Sequence, residues 1–275
     1  TAIEAFLSRH AETSMFLRAN LLRFGLFGRD HPNATEYFVD DQNGITGVFG
    51  HSNGGFVLVQ APEATPHFWD QIGVLMQGRQ VSGMSGAPAQ IVALKRVLGL
   101  EGATFAIDDA EPLYRLDLDQ LQVPEGAEIR APVRADVPLL RDWTHDYDVN
   151  TLGVPDSPAT RDRIKAEVTR MIDAGTTRLL IENGQPVAKT AFNAVLPDIV
   201  QIGGVYTPPP LRNRGYGRRV VAAHLAEARA QGVRTAILFA SGAAACRAYE
   251  AIGFQHIGAY TLSLLKTPVQ IGAAP

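Results

Sequence analysis

The stretch 203-GGVYTPPPLRNRGYGRRVVAAHLAEARAQG-232 joins an apolar strand pattern to an amphipathic helix through three prolines and a glycine pair. The start of a helix exposes unpaired backbone N–H groups and the positive end of the helix dipole, so an anion is held there favourably. Gly215 and Gly217 leave out the Cβ atoms that would block close approach to the backbone, and Arg212 and Arg214 bring formal positive charge to the same turn. The following helix repeats apolar residues at Val220, Val221, Leu225 and Ala228 and stops at Gly232. Strand, turn and helix therefore stand in the order an anion site needs, and Gly203 and Gly204 predict a weakened or bulged strand just before the turn.

Working outward, two Asn-Gly pairs stand between β-prone runs, "EYFVDDQNGITGVFG" with Asn43 and Gly44 and "TRLLIENGQPVAKTAF" with Asn183 and Gly184, and each predicts a tight hairpin. They lie about half the chain apart. From each hairpin the same order of elements follows: a strand ("GFVLVQAP"; "DIVQIGGVY"), a helix ("HFWDQIGVLMQG"; "GRRVVAAHLAEARAQG"), a strand ("RQVSGMSG"; "VRTAILFA") and a short helix ending at Gly plus an apolar residue ("AQIVALKRVLGL"; "AACRAYEAIGF"). This agreement points to a duplicated mixed α/β fold. The first copy lacks any counterpart of PPPLRNRGYG. Pro124, Gly126, Pro132 and Pro138 mark a linker, so the expected domains are 1–124 and 125–275, the second opening with a strand near Ala127 to Ala131.

Composition narrows the function. Hydrophobic residues make up 46% and charged residues 19% of the 275, and no run approaches the roughly 20 apolar residues of a membrane span. The start, "TAIEAFLSRHAETSMFLRANLL", interleaves charge with apolar positions and reads as an amphipathic helix, not a secretion signal. The single cysteine, Cys246, excludes internal disulfides and cysteine-rich metal knuckles and fits a cytoplasmic location. A net charge of −3 argues against a general nucleic-acid binder, despite the short basic run "RNRGYGRR". In "WTHDYD", His145 among Asp146 and Asp148 reads as a solvated loop group with no metal implied.

With these residues in view, the second half resembles the GNAT-type acyl-CoA N-acyltransferase superfamily over roughly residues 127 to 265. Arg212 to Gly217 matches that superfamily's Arg/Gln-x-x-Gly-x-Gly/Ala loop, preceded by "VYTPP" and followed by helix, strand and "AYEAIGF". The resemblance implies an α/β fold with a mixed sheet and acetyl-CoA as cosubstrate. It implies that the backbone of Val205 and Tyr206 pairs with the pantetheine arm. It implies, too, that Arg212, Asn213, Arg214, Gly215, Tyr216, Gly217 and Arg218 hold the pyrophosphate, and that the split between strands ending near Tyr206 and Ala240 admits the thioester. Tyr249 matches the tyrosine that often serves as acid near the sulfur, a role a phenol with a pKa near 10 can fill; read alone it is a packed helix tyrosine beside Ala245, Ala248 and Ile252. Two positions depart from the pattern. Ile199 stands where some members carry a glutamate base, and Ser241 and Gly242 stand where an asparagine is frequent. Gln201, expected on the face of Val205, is read as holding a water for deprotonation. The segment "THDYDVNTLG", with His145 and Asp146, is expected to border the acceptor.

The first half, with Lys95 in the place of Tyr249, resembles the degenerate, non-catalytic half of two-domain members. The expected activity is direct transfer of an acetyl group from CoA to a primary amine of a small molecule or peptide, without a covalent enzyme intermediate, no metal, nucleic acid or membrane being implied; a homodimer is compatible with it. The other readings are a non-catalytic acyl-CoA-binding or regulatory module and, more remotely, a nucleotide-phosphate site, against which the lack of a G-x-x-x-x-G-K-[ST] loop stands.

Overall fold

Alternation of apolar and polar side chains after Ala34 draws out a hairpin of β1 (Thr35–Asp41) and β2 (Ile45–Ser52), paired antiparallel with Tyr37 opposite Gly50 and Val39 opposite Val48. The computed structural model describes residues 1–28, 30–41, 44–151, 153–240 and 242–272. Asn43, on which this first hairpin was read, lies outside them. Before the hairpin come α1 (Ala2–Leu7) and α2 (Met15–Phe24), so the amphipathic start is two helices and not one. The break falls at Ser14, whose hydroxyl donates to the Leu7 carbonyl at 2.7 Å.

The elements then follow the predicted order: β3 (Phe56–Gln60), α3 (Pro66–Leu75), β4 (Gln80–Gly86) and α4 (Pro88–Val97), then a long strand β5 (Phe105–Asp117). The second half gives β6 (Glu128–Arg130), α5 (Val137–Asp146), α6 (Pro158–Ala174), β7 (Thr177–Glu182), β8 (Gln185–Val195), β9 (Ile199–Tyr206), α7 (Tyr216–Ala230), β10 (Thr235–Phe239), α8 (Ala243–Glu250) and β11 (Gln255–Gln270). Helix α6 begins where Ser157 Oγ accepts the Thr160 N–H at 3.1 Å, has Pro158 in its first turn and ends at left-handed Gly175. The β7–β8 turn has positive φ at both Asn183 (51°) and Gly184 (75°), which matches the twist of the strands it joins.

Two compact units result, Thr1–Pro112 with Gly258–Pro275, and Leu113–Ile257. The division therefore falls within β5 and not near residue 124. Its physical cause is strand pairing: residues Leu113 to Asp117 form their ladder with β10 of the second unit, and the last strand, β11, forms its ladder with β4 of the first. Within the first unit β1, β2 and β3 meander antiparallel, β3 runs parallel to β4, and β4 is antiparallel to β11. Within the second, β7, β8 and β9 meander antiparallel, β9 runs parallel to β10, and β10 is antiparallel to β5, with β6 flanking β7. The two units repeat one mixed α/β sheet plan.

In the second unit the sheet is buried on both faces. Val200, Ile202, Leu180 and Leu238 pack under Val220, Val221 and Leu225 of α7, while Leu179, Ile181 and Tyr206 pack under Leu140 and Trp143 of α5 and Ile164 and Val168 of α6. His224 of α7 is only 3% exposed and stacks on Phe192 of β8 with ring centroids 3.7 Å apart. Burial, helped by the charge of Arg178, pushes its pKa down to about 3. The unfolded chain, with an ordinary value near 6.5, therefore takes up the proton first as pH falls. Stability conferred by neutral His224 is complete above about pH 6.5 and lost between there and pH 3, by at most about 1.4 kcal/mol per pH unit. His224→Phe is expected to flatten the fall in melting temperature between pH 6 and 4; an equal slope in both proteins would show that His224 is not its source.

Candidate functional site

Strand β9 is paired unequally on its two edges. Its parallel ladder with β10 runs from Ile199 opposite Thr235 to Ile202 opposite Leu238, and β9 continues to Tyr206. Among the described residues the edge of Gly203 to Tyr206 that would continue this ladder pairs with no strand. On the other edge Lys189 of β8 pairs with Tyr206 and Ala191 with Gly203, so Gly204 and Val205 together oppose the single Thr190. Gly204 takes φ +57° in this bulge, a conformation that favours glycine.

The bulge reverses side-chain parity. Val205 packs with Val200 and Ile202 on the α7 side, and Tyr206 points to the α5–α6 side, where its ring lies 5.6 Å from that of Trp143. Gln201, expected on the face of Val205, instead alternates with Val200 and Ile202 and leaves the sheet on the opposite face. It is 2% exposed, its Nε2 donates to the Ile202 carbonyl at 2.6 Å, and its Oε1 meets no donor among the described residues. Ile199, at the position of the expected glutamate, is a buried core residue.

Beyond Tyr206 the prolines make a short 3-10 turn, Pro209–Leu211, and Arg212 Nε donates back to the Thr207 carbonyl at 3.0 Å. Asn213 (φ 64°) and Gly215 (φ 75°) both take the left-handed conformation, which swings the chain into α7 at Tyr216. Among the described residues no side chain caps this helix. The first-turn N–H groups of Tyr216, Gly217 and Arg218 are thus free of helical partners. Arg212, Asn213, Arg214 and Arg218 are exposed around them, while Tyr216 is half-buried against the core. Arg219 is occupied elsewhere, donating to Glu182 at 3.0 Å and to the Gly126 carbonyl at 2.7 Å. Among the described residues the nearest neighbours of a Cβ built on Gly217 would be Thr207 Oγ1 and Val205 Cγ1, both at 3.8 Å, so none of them demands a glycine there.

On the α5 side, Asp146 accepts hydrogen bonds from the Tyr206 hydroxyl at 2.5 Å and Asn150 Nδ2 at 2.8 Å. These bonds, Tyr206's first, hold the Asp146 carboxyl below the usual range, and burial followed by the same bond pushes the Tyr206 phenol up. Asp146, read from sequence beside the acceptor, is thereby tied to the strand read as gripping the pantetheine. His145 Nε2 lies 3.0 Å from Asp156 Oδ1, a carboxylate also held by Arg161. In the turn that follows, Asp148 pairs with Arg163. Leu152 of this segment lies outside the described residues. Among those residues no group of three His, Cys, Asp or Glu side chains could hold a metal ion.

Tyr249 is half-buried on α8, its ring edge-on to Phe254 at 6.0 Å. Cys246, one turn earlier, is half-buried; with Glu250, to which the Tyr114 hydroxyl donates at 2.8 Å, it makes the Tyr114 phenol less acidic. Gly242 begins α8 with φ 81°, and Ser241 lies outside the described residues. Lys189 escaped the reading of the sequence: the signal was a lone charge inside the apolar strand "QPVAKTAF", and the structure buries it to 4% exposure.

The first unit closes the corresponding space. Its parallel pair β3–β4 ends at Leu58 opposite Ser85, and a Cβ on the next residue, Gly86, would come within 3.0 Å of the Val59 side chain. Gln90 Oε1 of α4 accepts the Ala61 N–H at 2.8 Å, occupying the edge that β9 leaves open. Lys95, in the place of Tyr249, pairs with Asp108 and lies 4.4 Å from the centre of the Phe105 ring.

Residues 139–254 match the model of the acetyltransferase (GNAT) family. Solved structures share the fold across almost the whole chain. A Drosophila protein is 13% identical with a TM-score of 0.62, covering 96% of this chain and 94% of that one. A GCN5-related N-acetyltransferase from Kribbella flavida is 17% identical with a TM-score of 0.57, covering 94% and 95%. A tandem GNAT protein from the clavulanic acid biosynthesis pathway is 16% identical with a TM-score of 0.51, covering 95% and 89%, which fits the two-unit plan. None of the curated proteins matches the chain in sequence. Among the described residues no helix is long and apolar enough to cross a membrane.

Proposed function

We propose that the GNAT-family domain of residues 139–254 moves an acetyl group from acetyl-CoA directly to a primary amine of a small molecule or peptide. The observation that carries this reading is the β9 edge from Gly203 to Tyr206, unpaired among the described residues and joined through the turn 207–215 to the uncapped start of α7. An extended pantetheine arm can complete the ladder along that edge, and its pyrophosphate then arrives where N–H groups, the helix dipole, Arg212 and Arg214 converge. The gap left by Gly217 is the cradle a phosphate would fill. Asn213, Gly215, Tyr216 and Arg218 complete this turn, and Val205 and Tyr206 supply the backbone edge.

Transfer needs a free amine lone pair, an in-line approach to the thioester carbon and a proton for the departing thiolate. Tyr249 is the proposed proton donor to the thiolate, and the α5 end with His145 and Asp146 the proposed acceptor boundary. The single thiol, Cys246, is half-buried against the core, which favours direct transfer over an acyl-enzyme. The first unit, with Gln90 in its slot, is assigned a non-catalytic role.

The test is to mix the protein with acetyl-CoA and a panel of primary amines and follow release of free CoA thiol. Amine-dependent thiol release is expected. The buried Ile199 favours a second reading, a module that binds acyl-CoA without turnover. Tight acetyl-CoA binding by calorimetry with no thiol release across the panel would establish that one instead.

A further inference from the structure

The α5–α6 face of the second unit holds a buried amine that the scheme above leaves unused. Lys189 of β8 stands directly opposite Tyr206 of β9 in an antiparallel ladder, so the two side chains leave the same face of the sheet. It is therefore one strand away from the free β9 edge. Lys189 is 4% exposed, and its side chain makes no hydrogen bond or ion pair with the described residues. A buried lysine without a partner is uncommon, because the ammonium form loses its hydration with nothing in return.

Its surroundings explain why no carboxylate takes it. From α6 come Glu167 and Arg163, and from the turn after α5 comes Asp148; Arg163 spans both acids, with its Nη1 2.9 Å from Glu167 and its other nitrogen on Asp148. From α5 comes Asp146, committed to Tyr206 and Asn150, while the β7 residue opposite Lys189 is the apolar Leu179. Tyr206 of β9 donates its proton to Asp146, and His145 is held by Asp156. Arg163 thus uses the two acids whose charge Lys189 feels. Burial lowers the lysine's pKa, and the attraction of Glu167 and Asp148 opposes that shift without forming a bond.

We propose that Lys189 is the base that takes up the proton of the acceptor's ammonium group. The proposal rests on the acyl-transfer reading above. The proton leaves the acceptor nitrogen for the lone pair of Lys189 Nζ. The freed amine attacks the acyl carbon, the carbon–sulfur bond breaks, and the thiolate takes a proton from Tyr249. The new amide then gives its surplus proton back to the Tyr249 phenolate. One proton in excess, held on Lys189, returns to solvent with product release, so the sum is ammonium plus thioester giving amide, thiol and a proton. A lysine serves here because burial can hold its amine neutral, which an arginine never is.

That last difference supplies the test. Lys189→Met and Lys189→Arg are compared with wild type for kcat against pH, alongside melting temperature and acetyl-CoA affinity by calorimetry. If Lys189 is a base, both variants lose about 100-fold or more in kcat near neutral pH with CoA affinity unchanged. The Met variant then recovers as pH rises and solvent deprotonates the acceptor. If Lys189 is only a fixed counter-charge to Asp148 and Glu167, Arg restores activity that Met loses, and the proposal is overturned. Since either variant can misfold, the wild-type lysine is also titrated directly by NMR with labelled lysine, assigned by its loss in the better-folded variant. A Lys189 signal that titrates below the ordinary value near 10.4 supports the base; one at or above it overturns the base whatever the kinetics. Absence of any amine-dependent thiol release by wild type would sink the acyl-transfer reading itself, whereas full activity in Lys189→Met sinks only the role of this residue.

Discussion

Gly217→Glu is expected to weaken acetyl-CoA binding by at least about 100-fold, roughly 3 kcal/mol, while leaving the fold intact. Residue 217 lies in the first turn of α7 without positive φ, and a Cβ there meets its nearest neighbours at an ordinary 3.8 Å. A glutamate in a first helical turn also interacts favourably with the helix dipole, so melting temperature should hold or rise slightly. The same carboxylate, however, fills the gap between the N–H groups and Thr207 and sets negative charge against a pyrophosphate. Gly215 is a poorer site for this test, because its φ of 75° would strain any replacement and confuse loss of binding with loss of structure. Calorimetric titration of acetyl-CoA into both proteins, with thermal melts alongside, reads the result. A Kd within threefold of wild type in a folded Gly217→Glu protein would remove the anion site, and with it the basis for the cofactor.

Turn chemistry made much of this fold readable. Asn183 and Gly184 signalled a hairpin because few residue pairs accept two successive positive φ values, and the β9–α7–β10–α8 order was legible because strand and helix periods differ. The loop between Arg212 and Gly217 could be placed on a helix start for the same reason. Three features could not be read so. The face of Gln201 depended on whether Gly204 inserts a bulge, and one extra residue reverses every side chain beyond it. The unit boundary depended on which partner β5 and β11 choose, a long-range pairing that local composition does not record. The isolation of Lys189 depended on Arg163 reaching both Asp148 and Glu167, residues spread over two elements. Such properties belong to tertiary packing and not to any window of sequence.

Replacement of Tyr249 by Phe is expected to lower kcat by about 100- to 1,000-fold, the span usual for loss of one positioned proton donor. The substitution keeps the ring that packs edge-on against Phe254 at 6.0 Å and beside Ala245 and Cys246, so stability should change little. Affinity for acetyl-CoA should stay within about threefold, because the groups proposed to hold it lie on β9 and the α7 turn and not on α8. A donor acts only as the carbon–sulfur bond breaks, so the loss belongs to kcat. Its size should also follow the leaving group: an acetyl thioester of a more acidic thiol needs less help in departing, and the gap between Tyr249→Phe and wild type should narrow with it. These dependences separate the two roles a half-buried helix tyrosine can fill. A packing residue lost to Phe leaves kcat unchanged for every thioester, and that outcome would return Tyr249 to the core and leave the thiolate to be protonated by solvent.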